Sequence, residues 1–473
     1  MNGVLNQIFY ILMLFLSGYY AITSLQWYSY RVGRVLFRHT KALWNYIYFL
    51  LPVAVYDLLV LAGGSAYSYI VSIVYTALFY LWYRGVDKKL VFTGRVKRFF
   101  FLLAAFGVAM LLFSSFRLVF LPVVCAWLVS VVIEKLLFLG YKKKAASRLE
   151  AMDSMIVIGV TASYGKTSIK NFIAQLLSRK YRVYATPRSV NTLAGVIRDI
   201  NEALPSDTEV YIVEMGARRR GDIAEIASFV DPDYAVVGTI GPAHIEYFGS
   251  LDEIRKTKLE ILEAPALKKA WVHTSAAFSD NDERIEVFGS DIENIEATLE
   301  GVSFTLDGES YSAGVLGAFN AVNLAVATYV AGELGIDPGQ IREGLSEIEP
   351  IPHRLQRIDA GGKVILDDSF NGNIDGMKAS FDLVSSWKGR KVLITPGLVE
   401  ADEALNEEVA SRANEVFDLI IVTGDLNYDI FKRRIDSSKL IKLDSKADMQ
   451  ELLAEKTRSG DLILFANDAP SFV

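Results

Sequence analysis

The first third of the chain consists of long apolar runs separated by short polar segments. A helix needs roughly 20 apolar residues to cross a bilayer, and several of these runs are long enough. They lie near residues 3–24, 42–62, 66–83, 99–115 and 118–139. The pattern therefore predicts an α-helical membrane domain over residues 1–145, with five transmembrane helices.

Basic residues are distributed unevenly among the loops that join these runs. Clusters of Lys and Arg follow the first, third and fifth runs, whereas the loops after the second and fourth runs contain at most Arg117. Because loops rich in Lys and Arg stay on the cytoplasmic side, the asymmetry predicts an external N-terminus and a cytoplasmic C-terminal part. We expect an integral protein of the cytoplasmic membrane, with its catalytic domains in the cytoplasm, where ATP is.

Two acidic residues lie inside the predicted spans, where an ionisable side chain is costly and commonly functional. Glu134 has a simpler explanation, because Lys135 is adjacent and the cytoplasmic end of its span is near. Asp57 lies well inside the second span. It either serves a substrate or lipid, or it lies near the outer interface and pairs with Arg117.

Charge separates the two parts of the chain. Residues 1–150 carry 16 Lys and Arg against 4 Asp and Glu, a net charge of +12. The formal charge of the whole chain is −6, which leaves −18 for residues 151–473. An acidic soluble part is unsuited to nucleic acid phosphates, so we expect no nucleic acid partner. The single cysteine, Cys125, rules out an intrachain disulfide and a cysteine-based metal site.

Beyond residue 150, short buried strands alternate with helical segments. Residues 155–160 are predicted as a strand and residues 169–177 as a helix, with Thr161-Ala-Ser-Tyr-Gly-Lys-Thr-Ser168 between them. In this context backbone N–H groups cradle phosphates, Lys166 neutralises their charge, and Thr167 offers a hydroxyl to Mg²⁺. Gly159 lies one residue too far back for the strict phosphate-loop spacing, so the flanking strand and helix carry the prediction.

Two further strands are predicted to end in polar side chains. Residues 209–214 end at Glu214, and residues 234–240 are followed by Gly241-Pro-Ala-His244. The carboxyl ends of parallel strands form the crevice where open α/β sheets bind ligands. An acid and an imidazole at this edge, beside a phosphate loop, suit Mg²⁺. Taken alone, Glu214 could be a solvated strand end and His244 a helix cap.

Residues 155–265 resemble the central ATPase domain of the Mur ligases, and are most similar to the type that adds D-alanyl-D-alanine to a muramoyl tripeptide. The resemblance rests on residues 161–168, Glu214-Met-Gly-Ala217, Ile240-Gly-Pro-Ala-His-Ile-Glu246 and Thr257-Lys-Leu-Glu260. It continues in Gly317-Ala-Phe-Asn320 with Asn323, in Pro352-His-Arg354, and in Asp367-Asp-Ser-Phe-Asn-Gly-Asn373.

The resemblance implies ATP and two Mg²⁺ ions as cofactors and assigns roles to individual residues. The catalytic set would be Lys166, Glu214, His244 and Lys258. The metal ligands would be Thr167, Glu214, His244 and a carbamylated Lys258. ATP would be held by Thr161, Ser163, Gly165, Lys166, Thr167, Ser168, Asn320, Asn323, Arg354 and Asp368. The substrate would contact Asn191, Thr192, Asn371 and Asn373.

The sequence also departs from the family pattern. Ala162 stands where glycine is usual, and Phe319 replaces the usual histidine before Asn320. The C-terminal residues 464–470 lack the expected Lys-Gly-Ser motif, which affects the identity of the acceptor. The soluble domain that grips the UDP end of the substrate has no counterpart, and the apolar runs stand in its place.

We therefore expect an α-helical membrane domain followed by two α/β domains: a Mur-ligase central ATPase over 151–350 and a Rossmann-like C-terminal domain over 351–473. ATP would phosphorylate a substrate carboxylate, and an amine would then attack the acyl phosphate to form an amide. The expected partners are a muropeptide-like carboxylate, an amino acid or dipeptide, and membrane lipid. Alternatives are a ligase for lipid-linked, γ-linked or capsule-type peptides, and a non-catalytic ATP-binding membrane scaffold.

Overall fold

Long apolar runs form helices and the alternating pattern beyond residue 150 forms sheets in the computed structural model. It describes residues 2–28, 30–37, 41, 43–63, 67–86, 88–114, 117–243, 245–279, 281–370, 373–399 and 401–467. The chain divides into two units, Met1–Lys142 and Lys143–Val473.

The regular secondary structure of the first unit is entirely helical over its described residues. Its helices are α1 (Asn2–Trp27), α2 (Val32–Phe37), α3 (Leu43–Asn45), α4 (Leu51–Leu61), α5 (Ser68–Gly85), α6 (Gly94–Phe113) and α7 (Phe120–Glu150), and a π-helical turn, Tyr46–Leu50, joins α3 to α4. Buried side chains such as Leu14, Tyr56 and Leu103 form its core. The last residues of α7 belong to the second unit, so this helix continues past the predicted boundary at residue 145.

Four helical segments within the described residues are long and apolar enough to cross a membrane: Val4–Trp27, Leu43–Leu61, Gly94–Phe113 and Phe120–Glu150. The third predicted span, 66–83, does form a helix, α5. It is not among the four, because repeated tyrosines and Arg84 lower its hydropathy. Four of the five predicted spans thus meet this criterion of length and apolarity, and the count of five membrane-spanning helices stays a prediction.

The two acidic residues of the first unit both have protein partners. Asp57 accepts hydrogen bonds from the backbone N–H groups of Val119 (2.7 Å) and Phe120 (3.0 Å), one to each carboxylate oxygen. The first amides of a helix have no partner within the helix, so Asp57 caps α7 from a neighbouring helix. Glu134 lies 2.6 Å from a guanidinium nitrogen of Arg98. Both carboxylates are thus explained by contacts within the helical unit.

The second unit begins with a six-stranded parallel sheet. Its strands are β1 (Ile156–Thr161), β2 (Val183–Ala185), β3 (Val210–Glu214), β4 (Tyr234–Val237), β5 (Lys269–His273) and β6 (Ile285–Phe288), in the order β2-β3-β1-β4-β5-β6. The helices between them are α8 (Lys166–Leu177), α9 (Leu193–Glu202), α10 (Asp222–Val230), α11 (Ile245–Phe248) and α12 (Leu251–Leu259), with 3-10 turns at Glu260–Glu263 and Thr274–Ala276. Strands β1 and β3 are buried along nearly their whole length, as expected for a parallel sheet covered on both faces.

A small antiparallel sheet and two helices complete the core on one side of this sheet. The strands are β7 (Ile292–Thr298), β8 (Gly301–Leu306) and β9 (Glu309–Ala313), and the helices are α13 (Phe319–Glu333) and α14 (Pro338–Ser346). Apolar side chains of α8, α13 and β8 share one hydrophobic cluster with the parallel sheet. This packing fixes α13 beside the loop that precedes α8.

A second six-stranded sheet follows, formed by β10 (Gln356–Ala360), β11 (Lys363–Asp368), β12 (Lys391–Thr395), β13 (Leu419–Thr423), β14 (Leu440–Leu443) and β15 (Leu462–Ala466). The order is β10-β11-β15-β12-β13-β14, and only β10 is antiparallel. The accompanying helices are α15 (Ile374–Ser385), α16 (Glu403–Val416), α17 (Tyr428–Arg434) and α18 (Met449–Lys456), with a 3-10 turn at Lys446–Asp448. Alternate residues of β12, β13 and β15 pack into two separate clusters, so both faces of the sheet are covered.

Candidate nucleotide and metal site

Three neighbouring strands end at the same edge of the first parallel sheet. β1 lies between β3 and β4, with Val160 opposite Glu214 and Thr161 opposite Val237. The chain crosses over β1 between β3 and β4, so this is the point where the strand order reverses. Open α/β sheets bind ligands at such a point, beyond the carboxyl ends of the strands.

The loop after β1 is shaped to receive an anion. Gly165 has a φ of 80°, a left-handed conformation that glycine adopts readily, and it leads directly into α8. The side-chain ammonium of Lys166 donates hydrogen bonds to the backbone oxygens of Ala162 (2.7 Å) and Ser163 (3.0 Å). Burial lowers the pKa of Lys166 to about 8, opposed by Glu214. The free N–H groups at the start of α8 and this lysine together favour phosphate.

Glu214, at the end of β3, is almost completely buried and has a partner on each carboxylate oxygen. Its Oε2 accepts a hydrogen bond from the hydroxyl of Thr167 (3.0 Å), and its Oε1 accepts one from the amide of Asn191 (3.1 Å). The ammonium of Lys170 lies 3.4 Å from Oε2. The fold therefore brings two predicted metal ligands, Thr167 and Glu214, into direct contact, and places Asn191, a predicted substrate residue, beside them.

Lys258 lies on the last turn of α12 and is 4% exposed. Its ammonium makes no hydrogen bond or ion pair to any described residue. Burial, and then the charge of Lys166, lower its pKa well below the usual value. Glu260, a possible partner, instead accepts hydrogen bonds from the backbone N–H groups of Gly221 (2.7 Å) and Ala224 (3.1 Å). Lys258 is thus a buried amine close to the phosphate loop, and not the surface lysine that its sequence context alone would suggest.

The two asparagines predicted to hold ATP, Asn320 and Asn323, are buried on α13, against the phosphate loop. Asn323 donates a hydrogen bond to the side-chain oxygen of Asn320 (2.9 Å), and Asn320 donates one to the backbone oxygen of Leu316 (2.8 Å). A methyl group on Gly165 would lie only 2.6 Å from the Asn323 oxygen, which leaves room for no residue larger than glycine there. The contact explains why this loop position is glycine.

Arg354 and Asp368 are also brought near the site. Arg354 donates a hydrogen bond to the backbone oxygen of Phe370 (2.6 Å), and burial lowers its pKa while Asp368 and Glu214 oppose that shift. Asp368 accepts hydrogen bonds from the backbone N–H of Leu355 (3.1 Å) and from the hydroxyl of Ser380 (2.9 Å). These bonds fix the segment that carries Arg354 to the end of β11.

Several predicted residues have local structural contacts. The hydroxyl of Thr161 donates to the backbone oxygen of Met215 (2.9 Å), and that of Ser163 donates to Gly241 (2.9 Å). Thr192 and Asn373 are the N-caps of α9 and α15. Ser168 is buried in the first turn of α8. His244 and Asn371 lie outside the described residues.

Lys170 was not predicted as a site residue; it is 1% exposed and lies one turn after Lys166 on α8. It donates hydrogen bonds to the backbone oxygens of Thr186 (2.6 Å) and Arg188 (2.7 Å), in addition to its ion pair with Glu214. A signal was present, because Lys170 follows Ile169 and precedes Phe172 and Ile173 on the buried face of an amphipathic helix. A lysine at such a position requires buried acceptors.

A phosphate loop with a half-buried lysine, a hydroxyl at the start of α8, a carboxylate at the adjacent strand end, and two further buried lysines define an α/β enzyme that uses a nucleoside triphosphate. Residues 160–331 match the family model of the Mur ligase middle domain. The UDP-N-acetylmuramoyl-tripeptide–D-alanyl-D-alanine ligase of Bacillus subtilis is 28% identical over 337 residues, which cover 65% of this chain and 72% of that enzyme.

Solved structures show the same fold. The MurF ligase of Thermotoga maritima in complex with ADP aligns with a TM-score of 0.60 at 24% identity, covering 70% of this chain and 80% of that one. A MurF structure from Acinetobacter baumannii aligns with a TM-score of 0.62 at 24% identity, covering 70% and 78%. Residues 160–331 are therefore a Mur ligase middle domain, and the chain is similar to MurF ligases in sequence and in fold. It is a MurF-like ATP-dependent ligase.

Proposed function

We propose that this ligase acts from the cytoplasmic membrane, joining a muropeptide-like carboxylate to the amine of an amino acid or dipeptide. ATP would transfer its γ-phosphoryl group to the carboxylate, and the amine would displace phosphate from the acyl phosphate to form the amide. The observation that carries the proposal is the direct contact between Thr167 and the buried Glu214, beside Lys166 of the phosphate loop. The named relatives act on a UDP-muramoyl tripeptide and D-alanyl-D-alanine, which sets the first substrates to try.

The side chains present fit Mg²⁺. Thr167 and Glu214 offer the oxygen ligands that this ion prefers, and it commonly binds through one or two carboxylates together with substrate phosphates. Within the described part of the chain, no three His, Cys, Asp or Glu side chains come together as a metal cluster. We propose that a carbamylated Lys258 and His244 complete the ligand set. When bound, Mg²⁺ would offset charge developing on the transferred phosphoryl group.

The residues of the chain itself have separable roles in this reaction. Lys166 would release its contacts with Ala162 and Ser163 and bind phosphate oxygens, where the buried setting strengthens the attraction. Asn320 and Asn323 would contact the nucleotide beside Gly165. Arg354 would contribute positive charge from the segment before β10, and closure there would exclude water from the acyl phosphate.

Membrane anchoring rests on the four long apolar helices and on the basic loops. An ATP-dependent enzyme needs a cytoplasmic C-terminal part, and with an external N-terminus this requires an odd number of crossings. Whether α5 crosses the membrane therefore decides on which side the N-terminus lies. If α5 does not cross, a cytoplasmic C-terminal part would require a cytoplasmic N-terminus.

Reporter fusions test this topology directly. We expect a reporter after residue 473 and one at Lys88 to behave as cytoplasmic, and one at residues 63–65 to behave as external, because Lys and Arg follow the third run. Alkaline phosphatase and a fluorescent protein provide opposite readouts of the two sides. An external reporter at Lys88 would remove α5 from the membrane, and an external C-terminal reporter would contradict the topology altogether.

A second candidate acceptor is a lipid-linked carboxylate, and one observation in the first unit favours it. A cavity of about 170 Å³ is lined by α1, α2, α6, α7 and the turn after α3, including Tyr20, Asn45, Val124 and Trp127. The Asn45 side chain is already occupied, since it accepts from Tyr20 (3.0 Å) and donates to the backbone oxygen of Val35 (2.7 Å). With its polar side chain satisfied, the cavity suits a hydrocarbon chain better than water.

Positive charge beside this cavity fits the head group of such a substrate. Arg31 and Arg34 flank the apolar face that α2 turns to the cavity through Val32 and Val35. In the part of the chain that is described, neither guanidinium has a hydrogen-bond or ion-pair partner. Basic residues at the cytoplasmic end of membrane helices attract anionic lipid groups. The cavity would thus hold the chain of a phosphate-linked lipid acceptor.

One assay distinguishes the two acceptors. Purified protein in detergent would be tested for phosphate release with UDP-linked and polyprenyl-linked muropeptides, each with a panel of amino acids and dipeptides. If the acceptor is lipid-linked, Val124→Trp should raise its KM about tenfold by filling the cavity, while KM for ATP is unchanged. Leu128→Trp, on the exposed side of α7, is the matched control. Turnover with the UDP-linked acceptor alone, unaffected by Val124→Trp, would reject the lipid-linked substrate.

A further inference from the structure

The side chain of Lys170 connects two parts of the site that are distant in sequence. Its ammonium contacts three oxygen atoms: the backbone oxygens of Thr186 (2.6 Å) and Arg188 (2.7 Å), and Oε2 of Glu214 (3.4 Å). An ammonium has three N–H donors, so its bonding capacity is fully used. Burying a charge is costly unless it is paired in this way, and replacing a buried ion pair by apolar residues is often neutral or stabilising. Stability alone therefore does not explain a lysine here.

The segment that Lys170 contacts has no regular secondary structure. Residues 186–191, termed the acceptor loop here, join β2 to α9 and include Arg188 in a left-handed conformation with a φ of 48°. A residue other than glycine takes this conformation only when its surroundings impose it. Lys170 donates to the backbone oxygens of Thr186 and of Arg188 itself, the residues on either side of Pro187.

The acceptor loop is tied to Glu214 by further bonds that surround Lys170. The hydroxyl of Thr186 accepts a hydrogen bond from the backbone N–H of Glu214 (3.0 Å). The side chain of Asn191 donates to Glu214 Oε1 (3.1 Å), and its backbone oxygen accepts from Gly216 (2.8 Å). Glu214 thus faces the loop with one carboxylate oxygen bound by Asn191 and the other by Lys170 and Thr167.

We propose that Lys170 is a positioning residue that holds the acceptor loop against Glu214, and so sets the place of the substrate carboxylate relative to the phosphoryl group. It does not bind the nucleotide, because its three donors are already directed at the loop and at Glu214. This inference rests on the proposed function in one respect: it takes the loop that carries Asn191 as the acceptor side of the site.

The test compares Lys170→Met, which keeps the length of the side chain but removes its charge and donors, with Lys170→Arg. For Lys170→Met we expect KM for the carboxylate acceptor to rise at least about tenfold, with KM for ATP changed less than about threefold. Lys170→Arg keeps the charge and should recover part of the acceptor affinity. The matched control is Lys180→Met, which removes two lysine–carbonyl hydrogen bonds, to Leu334 (3.1 Å) and Gly335 (2.9 Å), away from the loop.

A second readout does not depend on turnover. Arg188 is exposed on the acceptor loop, so trypsin should cleave after Arg188 faster in Lys170→Met than in wild type or Lys180→Met. Faster cleavage with an unchanged acceptor KM would overturn the positioning role while leaving the ligase function intact. Equal cleavage in all three proteins would also overturn it. If no acceptor is turned over by the wild type, the proposed function fails, and the cleavage rates still decide whether Lys170 holds the loop.

Discussion

Replacing Lys258 with alanine is expected to lower the ligation rate by at least about 100-fold, and acetate is expected to restore part of it. The lysine is buried and has no hydrogen-bond or ion-pair partner in the described structure, with Lys166 as its strongest charged neighbour. At an effective dielectric constant of about 20, two unit charges roughly 4 Å apart interact by about 4 kcal/mol, so a second ammonium beside Mg²⁺ would oppose metal binding.

A carbamate on Lys258 reverses this charge and supplies the oxygen ligands that Mg²⁺ prefers. Carbamylation requires the neutral amine, and burial lowers the pKa of Lys258, which favours that form. Acetate can occupy the space left in Lys258→Ala and supply a carboxylate, which is why partial rescue is expected. The ¹³C NMR signal of a carbamate should appear when wild-type protein is equilibrated with labelled bicarbonate, and should be missing in the variant.

The neighbouring Lys256 supplies the control. It is exposed, and its ammonium pairs with Glu253 at 3.3 Å, so Lys256→Ala should leave the rate essentially unchanged. Full activity of Lys258→Ala would show that the lysine has no part in metal binding. Loss of activity without acetate rescue and without a carbamate signal would leave Lys258 as a packing residue and contradict the prediction.

Lys166→Ala and Glu214→Ala are each expected to abolish ATP-dependent ligation while the protein remains folded and membrane-bound. Without Lys166, the loop loses the ammonium that neutralises phosphate charge in a buried setting. Without Glu214, Thr167 and the acceptor loop lose the carboxylate that joins them. ATP-dependent phosphate release with the acceptor present measures both effects.

Glu214→Ala also removes the charged partner of Lys170, and breaking a buried pair can cost about 3–5 kcal/mol of stability. Glu214→Gln separates the two effects, because it keeps the shape of the side chain and one oxygen acceptor while removing the negative charge needed for Mg²⁺. Thermal unfolding should therefore show Glu214→Gln closer to wild type than Glu214→Ala, with both inactive. Near-normal turnover by Lys166→Ala or Glu214→Gln would refute the assignment of this site. Lys268→Ala, which removes an exposed ion pair with Asp233, serves as the control.

The elements that could be predicted from the sequence are those that depend on a short, continuous pattern of residues. The phosphate loop was recognisable because a strand, a Gly-Lys-Thr segment and a helix follow one another within 22 residues, Ile156–Thr161 to Lys166–Leu177. The strands β12 (391–395) and β13 (419–423) are likewise short apolar runs in the sequence. The strand predicted over 234–240 ends earlier, at Val237, because Gly238 and the following residues turn towards the phosphate loop.

In the N-terminal helical unit, the lengths of the apolar runs could be read from the sequence, whereas the partners of its charged side chains could not. Each apolar run forms helical structure. The helix α5 is nevertheless less apolar than the others, because it contains several tyrosines. The partners of Asp57 are backbone N–H groups 62 and 63 residues away, and the partner of Glu134 is Arg98 on another helix. Which donor each carboxylate contacts depends on how the helices pack against one another. The periodicity of a single helix contains no information about that packing.

By itself the sequence determined the class of fold, the phosphate loop and the identity of Glu214 as a strand-end acid, since each depends on the local order of apolar and polar residues. Only the tertiary structure decided what these groups meet. It buried Lys258 beside the phosphate loop, directed Glu260 to the N-terminus of α10, and placed Lys170 against a loop 16 residues further along the chain. These outcomes depend on which strand ends become neighbours in the sheet, and that is fixed by the crossover of the chain at β1 rather than by any local pattern.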